Sequence, residues 1–423
     1  MDEKEQAIQA IRQKLIGKHL SYQQIYAIMD EISHKKLGSV LTTYFAASGY
    51  SEGFSDEELY FLTQAMVETG EKLTFKGIVA DKHSIGGVPG TRTTLIVVPI
   101  IASAGFIIPK SSSRAITTPD GTADDMEVLA PVSFSTNKIY EIVKNTNGCI
   151  VWGGSVNIAP ADDQLIQVEK PLEFESFDKI VVSIMSKKIA FGSNHIVFDI
   201  PYGKSVKVHK REDAQTIADK FKFLASKFNV KITCYVHELE EPVGRGIGPL
   251  LETREALLVL EQDQNRPLDL EQHALHLASL LLDLCLQDEV NSQKTKIQTK
   301  YANTKTWAKE LLTSGKAHAK MQEIIKAQGG KVPILAKELI PSSIQASFKA
   351  EKKGKVMHIN SQNITTIAKI LGAPVFKNAG IFLEKKVGDE VLPSDTLLRL
   401  YAANEYNLAE ALETLKNLQL YSF

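Results

Sequence analysis

The feature that most constrains the fold is the passage from Ile78 to Leu95. An apolar run, Ile78-Val79-Ala80, leads into Asp81-Lys82-His83-Ser84-Ile85-Gly86-Gly87-Val88-Pro89-Gly90, and a long apolar segment starts at Leu95. This pattern predicts a strand, a glycine-rich turn and a buried helix, the repeating unit of an α/β sheet covered by helices. Glycine lets the backbone turn sharply and come close to a ligand, and the unpaired N–H groups at a helix start attract anions. Glycines alone would also suit a plain structural turn. Lys82 adds a cation and Ser84 a hydroxyl donor, and with His83 beside them the turn reads as a phosphate cradle. Two better-known phosphate loops do not match. A P-loop needs Gly, four residues, then Gly-Lys-Ser/Thr, whereas Gly86 and Gly90 are followed by Thr91-Arg92 at a different spacing. The dinucleotide fingerprint needs G-x-G-x-x-G, which Gly86, Gly87 and Gly90 do not form.

A second segment has the same character. After Phe106 to Ile108 comes Pro109-Lys110-Ser111-Ser112-Ser113-Arg114-Ala115-Ile116-Thr117-Thr118, and Asp120-Gly121-Thr122 then open a helix running through Met126. Hydroxyls and an arginine at a strand end donate hydrogen bonds to an oxyanion without losing a proton. A Ser/Thr cluster by itself is ordinarily a solvated loop. Beside the glycine turn, in a chain of alternating strands and helices, it reads as a second wall of one pocket, because open α/β sheets bind ligands at the strand C-terminal ends.

The remainder of the chain sets limits. Its 423 residues suffice for two or three domains. With 49 basic and 50 acidic residues the formal charge is −1, so nothing favours nucleic acid or an anionic membrane. Cys149, Cys234 and Cys285 are widely spaced and read as reduced core residues. His195, His209 and His237 are scattered, so no histidine metal cluster and no metal site is expected. The charged start, Met1-Asp2-Glu3-Lys4-Glu5, does not resemble a secretory signal, and a cytosolic enzyme is expected. The uncharged run from Thr93 to Pro109 contains Pro99 and Gly105 and reads as a buried helix plus a strand, not a membrane span.

Up to about residue 65 the pattern is helical. Ser21 with Gln24 and Ser55 with Glu58 look like capping boxes; Leu59, Leu62, Ala65 and Met66 form an apolar stripe, and Gly70 suits a helix C-cap. From about 75, strands and helices alternate: Ile196 to Phe198 is a strand ending at Pro201-Tyr202-Gly203, Arg211 to Phe228 a helix, Ile232 to Val236 the next strand. From about 343, short strands around Gly354, Val356, Ile359, Gly388, Val391 and Leu397 suggest an α+β module.

The two phosphate segments resemble the thymidine and pyrimidine-nucleoside phosphorylase family. Asp81-Lys82-His83-Ser84-Ile85-Gly86-Gly87 looks like its signature. Ser113-Arg114-Ala115-Ile116-Thr117 with Gly121-Thr122-Ala123-Asp124 is closer to the branch of AMP phosphorylases and type 2 thymidine phosphorylases. Trp152-Gly153-Gly154, Asn157, Ala159-Pro160-Ala161-Asp162-Asp163 and Ser186-Lys187-Lys188 continue the likeness in order along nearly the whole chain. The resemblance implies a small helical domain (1–70, joined by a returning segment at about 160–192) hinged to a large α/β phosphate-binding domain (71–159 and 193–335), with a C-terminal α+β domain (343–423). Phosphate would sit on the α/β side and the base on the helical side, closure bringing them together. Such proteins are typically dimers through the helical domain. The AMP phosphorylases carry an extra N-terminal domain that this sequence does not contain.

The implied chemistry is phosphorolysis of an N-glycosidic bond with inorganic phosphate as co-substrate and no metal or organic cofactor. By resemblance Lys82, Ser84, Gly87, Thr94, Ser113 and Thr122 hold phosphate or the sugar phosphate, and Ser113, Arg114, Ala115, Ile116, Thr117 and Thr118 form the second wall. Ser183 and Lys187, four apart on one helix face, contact the base or substrate; Lys187 standing beside Lys188 is also what a surface lysine would look like. Lys207 matches a ligand-binding lysine of AMP phosphorylases. Glu175 stands where that branch has a proton-donating Asp, and His83 is a second candidate for contact with the base. Glu169 replaces an Arg that thymidine phosphorylases place on the base. The expected substrate is a pyrimidine nucleoside, giving free base and pentose 1-phosphate. A nucleoside 5′-monophosphate substrate is the alternative. An anthranilate phosphoribosyltransferase-like enzyme, using magnesium near Asp124 and Asp125, and an inactive nucleotide-binding homologue are the others.

Overall fold

The computed structural model describes residues 2–423 except 52, 116, 117 and 170–175; in the helix Asn291–Lys300 it describes the backbone alone at 291–293, 296 and 298. Four helices open the chain: α1 (Glu3–Lys14), α2 (Tyr22–Ser33), α3 (Ser39–Ser51) and α4 (Asp56–Glu68). Both expected capping boxes form. The Gln24 and Glu58 side chains accept from the Ser21 and Ser55 N–H groups, each at 2.9 Å. Glu58 does more than cap: its buried carboxylate also accepts from the Lys14 ammonium at 2.9 and 3.0 Å and from the Leu20 N–H at 3.0 Å, which ties α4 to α1. Gly70 is not the left-handed cap expected of it. Thr69 ends α4, and glycine is needed at 70 because a Cβ there would lie 2.7 Å from the Ala159 nitrogen.

Five parallel strands follow: β1 (Ala80–Ser84), β2 (Ile108–Ser112), β3 (Gly148–Trp152), β4 (His195–Tyr202) and β5 (Lys231–Glu238). A parallel bridge from Val79 to Ile107 joins the β2–β3 pair to β1–β4–β5, giving the order β3-β2-β1-β4-β5. That order reverses direction between β1 and β4, the topological switch point at which such sheets leave a crevice beyond their C-terminal ends. Successive β4 residues serve opposite faces. Ile196, Phe198 and Ile200 join the core shared with the opening helices, while Val197 joins the core on the other side. A sheet buried on both faces reads as an unbroken apolar run, as Ile196 to Phe198 does.

The connecting helices are α5 (Thr94–Ser103), α6 (Thr122–Met126), α7 (Thr136–Thr146), α8 (Pro160–Glu169), α9 (Phe177–Ala190), α10 (Arg211–Lys227), α11 (Pro249–Leu260) and α12 (Leu268–Asp288). α8 packs on α2 and α3, and α9 on α4. Near the end of the chain, Gln345–Lys349, Gly380–Leu383 and Thr396–Tyr401 form an antiparallel sheet. This sheet takes a fourth strand, Gly246–Ile247, from the segment before α11, stitching the C-terminal module to the α/β part. All three cysteines are free. Among the described residues no helix is long and apolar enough to cross a membrane.

Candidate active site

The cradle stands at the switch point. Lys82, near the end of β1, is 2 % exposed. Its ammonium donates to Ser84 Oγ and Thr93 Oγ1, both at 2.6 Å, and Ser84 Oγ donates to Asp199 Oδ2 on β4 at 2.5 Å. Burial pushes the Lys82 ammonium down to about 8, opposed by the Asp199 carboxylate. Gly87 has φ of +88° and faces the Lys207 backbone, so that a Cβ would sit 2.9 Å from its nitrogen. Gly87 and Lys207 are therefore in close backbone contact. Thr94 opens α5 and is buried, but the hydroxyl that reaches Lys82 belongs to Thr93.

The second wall is held by acids. Asp124 Oδ2 accepts from the Ala115 N–H at 2.7 Å and the Gly121 N–H at 3.0 Å, closing the loop from Ser113 to Thr122. A Cβ on Gly121 would lie 2.5 Å from the Ser113 carbonyl oxygen. Thr118 Oγ donates to the Asp120 carbonyl at 2.6 Å, and Thr122 is the first residue of α6. Arg114 is placed otherwise than an oxyanion donor would be. Its guanidinium grips Glu127 through two bonds of 2.6 Å, meets Asp124 at 3.1 Å and lies over the Trp152 ring. Ile116 and Thr117 lie outside the described residues, as does Glu175.

The base-side candidates sit on α9. Ser183 Oγ donates to Asp162 Oδ2 at 2.7 Å, and the Lys187 ammonium bridges Asp162 at 2.8 Å and Asp163 at 3.0 Å. Burial works against the charge on Lys187, but these two carboxylates keep it protonated. Its neighbour Lys188 is no surface lysine: it is 2 % exposed and pairs with Asp81 Oδ2 on β1 at 2.8 Å. Lys110, in the middle of β2, is also buried and lies 3.6 Å from Asp81. Glu169, where thymidine phosphorylases have arginine, is paired with Lys179.

These groups give the crevice its charge. Lys82, Lys110, Lys188 and Lys207 surround His83, whose imidazole is held well below its ordinary value, first by burial and then by those cations. His83 is therefore neutral at neutral pH, fit to hydrogen-bond a base but poor as a proton donor. Burial pushes the Lys207 ammonium down to about 8. Four lysines share this region with two carboxylates, Asp81 and Asp199, both held below their ordinary values by their partners despite burial. Lys110 and Lys188 face Asp81, and burial drives the Lys110 ammonium well below its ordinary value; Lys82 and Lys207 are the cations offered to an anion, where exclusion of water strengthens the field.

Sequence reasoning missed Thr93, Lys110, Lys188 and Asp199. One signal was available: a charged residue inside an apolar strand, such as Lys110 or Asp199, is almost never buried unless paired. It also missed the Arg92 knot. Arg92 pairs with Asp120, with Asp125 at 2.7 Å and with Glu252 at 2.9 Å, while Glu252 accepts from the Gly90 N–H at 2.9 Å. This knot fastens the glycine turn to the first turn of α6. Asp124 and Asp125, named above as possible magnesium ligands, are thereby engaged by Arg114 and Arg92. Of the three histidines read as scattered, His237 meets Asp199 at 2.8 Å, where it is joined by His273, a residue the sequence reading did not name, at 3.2 Å.

Three family models match the chain in order. Residues 8–70 match the helical bundle domain of a glycosyl transferase family, residues 76–318 the a/b domain of that family, and residues 355–422 the pyrimidine nucleoside phosphorylase C-terminal domain. The chain belongs to this glycosyl transferase family. An AMP phosphorylase of Thermofilum pendens is 42% identical over 403 residues, covering 95% of this chain and 75% of its own. AMP phosphorylase 1 of Archaeoglobus fulgidus is 39% identical over 97% of this chain and 79% of its own. A putative thymidine phosphorylase of Legionella pneumophila is 39% identical over 98% of this chain and 77% of its own. The crystal structure of anthranilate phosphoribosyltransferase from Thermus thermophilus superposes with a TM-score of 0.60 at 15% identity, covering 75% of this chain and 99% of that one. At that identity the likeness is one of fold. As a member of the glycosyl transferase family the chain is a pentosyl-transferring enzyme, a phosphorylase of nucleosides or nucleotides.

Proposed function

We propose that the enzyme is a nucleoside 5′-monophosphate phosphorylase. A phosphate oxygen attacks C1′ of the ribose; the C1′–N bond breaks, its electron pair leaves with the base, and the base takes up a proton. The products are free base and ribose 1,5-bisphosphate. The observation that carries this reading is the half-buried Lys207 standing against Gly87, in the same turn as the buried Lys82. A single anionic nucleophile is met by Lys82, whereas a nucleophile and a 5′-phosphate together call for a second cation; Lys110 and Lys188 are engaged by Asp81. Lys82, Ser84 and Gly87 hold the attacking phosphate; Lys207, beside Gly87, is assigned to the 5′-phosphate; Ser183, Lys187 and the neutral His83 face the base. Positioning two anions in a dry crevice supplies the orientation that the reaction needs.

The pyrimidine nucleoside expected first from the sequence is supported less well. Glu169 gives a base carbonyl no cation, being itself engaged by Lys179, and two of the relatives named above are AMP phosphorylases. The reaction proceeds, on this reading, with inorganic phosphate and without metal or organic cofactor, in a cytoplasmic homodimer. The deciding experiment is phosphate-dependent base release from AMP, CMP, UMP, thymidine and uridine in the presence of chelator. Release from the monophosphates alone is expected, with Lys207→Met lowering it sharply. Release from thymidine or uridine but from no monophosphate would overturn the proposal.

A further inference from the structure

Behind the cradle three side chains from three elements converge. Asp199 is on β4, His237 at the end of β5 and His273 on α12, and one ligand atom of each lies within 4.8 Å of the other two. We propose that Asp199, His237 and His273 form a binding site for a divalent transition-metal ion of the zinc type. The proposal does not depend on which nucleoside or nucleotide the enzyme cleaves.

The geometry of His237 points to a metal. Its Nδ1 lies 3.2 Å from the Glu238 carbonyl oxygen. With a proton on Nδ1, donated to that carbonyl, Nε2 has a lone pair to offer a metal ion. That Nε2 faces Asp199 Oδ1 at 2.8 Å. At that separation the two atoms either share a proton or hold a cation between them. An imidazole backed by a carbonyl at its other nitrogen is the arrangement that orients metal-binding histidines. The ring is held as well: Tyr235 stacks on His237 at 4.4 Å with a 14° tilt, and His276 packs edge-on against Tyr235. His273 brings Nε2 to 3.2 Å from Asp199 Oδ2.

Ligand type and exposure narrow the ion. Two imidazoles and a carboxylate suit zinc, cobalt, nickel or iron, whereas magnesium and calcium prefer all-oxygen sites. The side chains of His237 and His273 are 13% and 12% exposed and that of Asp199 2%. The cluster thus opens on its histidine side, leaving room for entry and for a water as fourth ligand. Asp199 also accepts the Ser84 hydroxyl that Lys82 donates to, so the ion would share a carboxylate with the phosphate cradle.

The test uses the full chain, stripped with chelator and titrated with Zn²⁺ by calorimetry and by metal analysis after dialysis, and with Co²⁺ by visible absorption. One Zn²⁺ per chain is expected, and a Co²⁺ spectrum distinct from that of the hexaaqua ion. His237→Ala and His273→Ala should each weaken Zn²⁺ binding by about 100-fold or more, the upper end of what supporting residues alone contribute. His276→Ala, which alters a neighbouring ring outside the ligand set, should bind as the parent does. Circular dichroism and thermal melting identify any variant that fails to fold, and His237→Asn keeps a polar group of similar reach for that case. No retained Zn²⁺ in the parent, or retention undiminished in the folded His237 and His273 variants, would overturn the site and leave an ordinary His–Asp network.

Discussion

Lys82 is a cation placed where burial opposes its charge, which is how a fold keeps an ammonium ready for an incoming anion. Asp199, Ser84 and Thr93 hold it in position, and on the proposed function the phosphate would complete its neutralisation. Lys82→Ala should leave far-UV circular dichroism unchanged and lower kcat/KM for phosphate by about 10²–10³-fold, the loss typical of one preorganised charge-stabilising group. Activity within a few-fold of the parent would remove Lys82 from the cradle. Burial sets both Lys82 and Lys207 to about 8. Both are charged below that value, so kcat/KM should fall as pH rises through it. A profile flat from pH 7 to 10 would show that neither ammonium is needed. At this scale local chain geometry accounts for the placement of Lys82, Ser84 and Gly87 in one turn. The sequence read poorly for Arg114 and Lys188, because adjacent sequence does not say which carboxylate a cation will meet.

Among the elements, the two glycine-bearing turns and α9 bear most directly on function. Gly121 leaves no space for a side chain against the Ser113 carbonyl, so the second wall closes only with glycine there. Gly121→Ala should push that loop outward and raise KM for phosphate by about tenfold or more, with a stability cost of about 1–3 kcal/mol from the forced backbone shift. An unchanged KM would show that the loop from Ser113 to Thr122 does not bound the phosphate site. On α9, Ser183 shares Asp162 with Lys187, so Ser183→Ala removes one donor while the ion pair persists. Its expected effect is a higher KM for the nucleoside or nucleotide with little change for phosphate; the reverse pattern would move Ser183 to the phosphate side. The capping boxes at Ser21 and Ser55 and the stripe along α4 were legible because they depend on residues three or four apart. Gly70 was misread for the converse reason: its constraint comes from Ala159, far along the chain.

For the whole molecule, Asp81 is the pin between the helical part and the sheet. It holds Lys188 of α9 on one oxygen and lies near Lys110 of β2. Asp81→Asn would leave the buried Lys188 ammonium uncompensated and should cost about 3–5 kcal/mol, read as a lower thermal midpoint. The sign with pH follows from linkage. Lys110 and Lys188 hold the Asp81 carboxyl below its ordinary value against burial, so its contribution is present above the ordinary Asp range near 4 and is lost as pH falls below it. Asp81→Asn should therefore destabilise at pH 7 and narrow the gap to the parent in acid; an equal deficit at pH 7 and pH 3 would contradict the ion pair. By itself the sequence determined the strand–turn–helix unit, the two glycine-bearing loops, the opening helices and the family, because glycine conformations, caps and hydrophobic periods act over a few residues. Only the tertiary structure decided which charges share a space: Ser84 with Asp199, 115 residues on, Lys188 with Asp81, and two histidines with that same Asp199. The first depends on β4 lying next to β1, the second on α9 packing against the sheet, and the third on β5 and α12 flanking β4, long-range choices that no local pattern in the chain records.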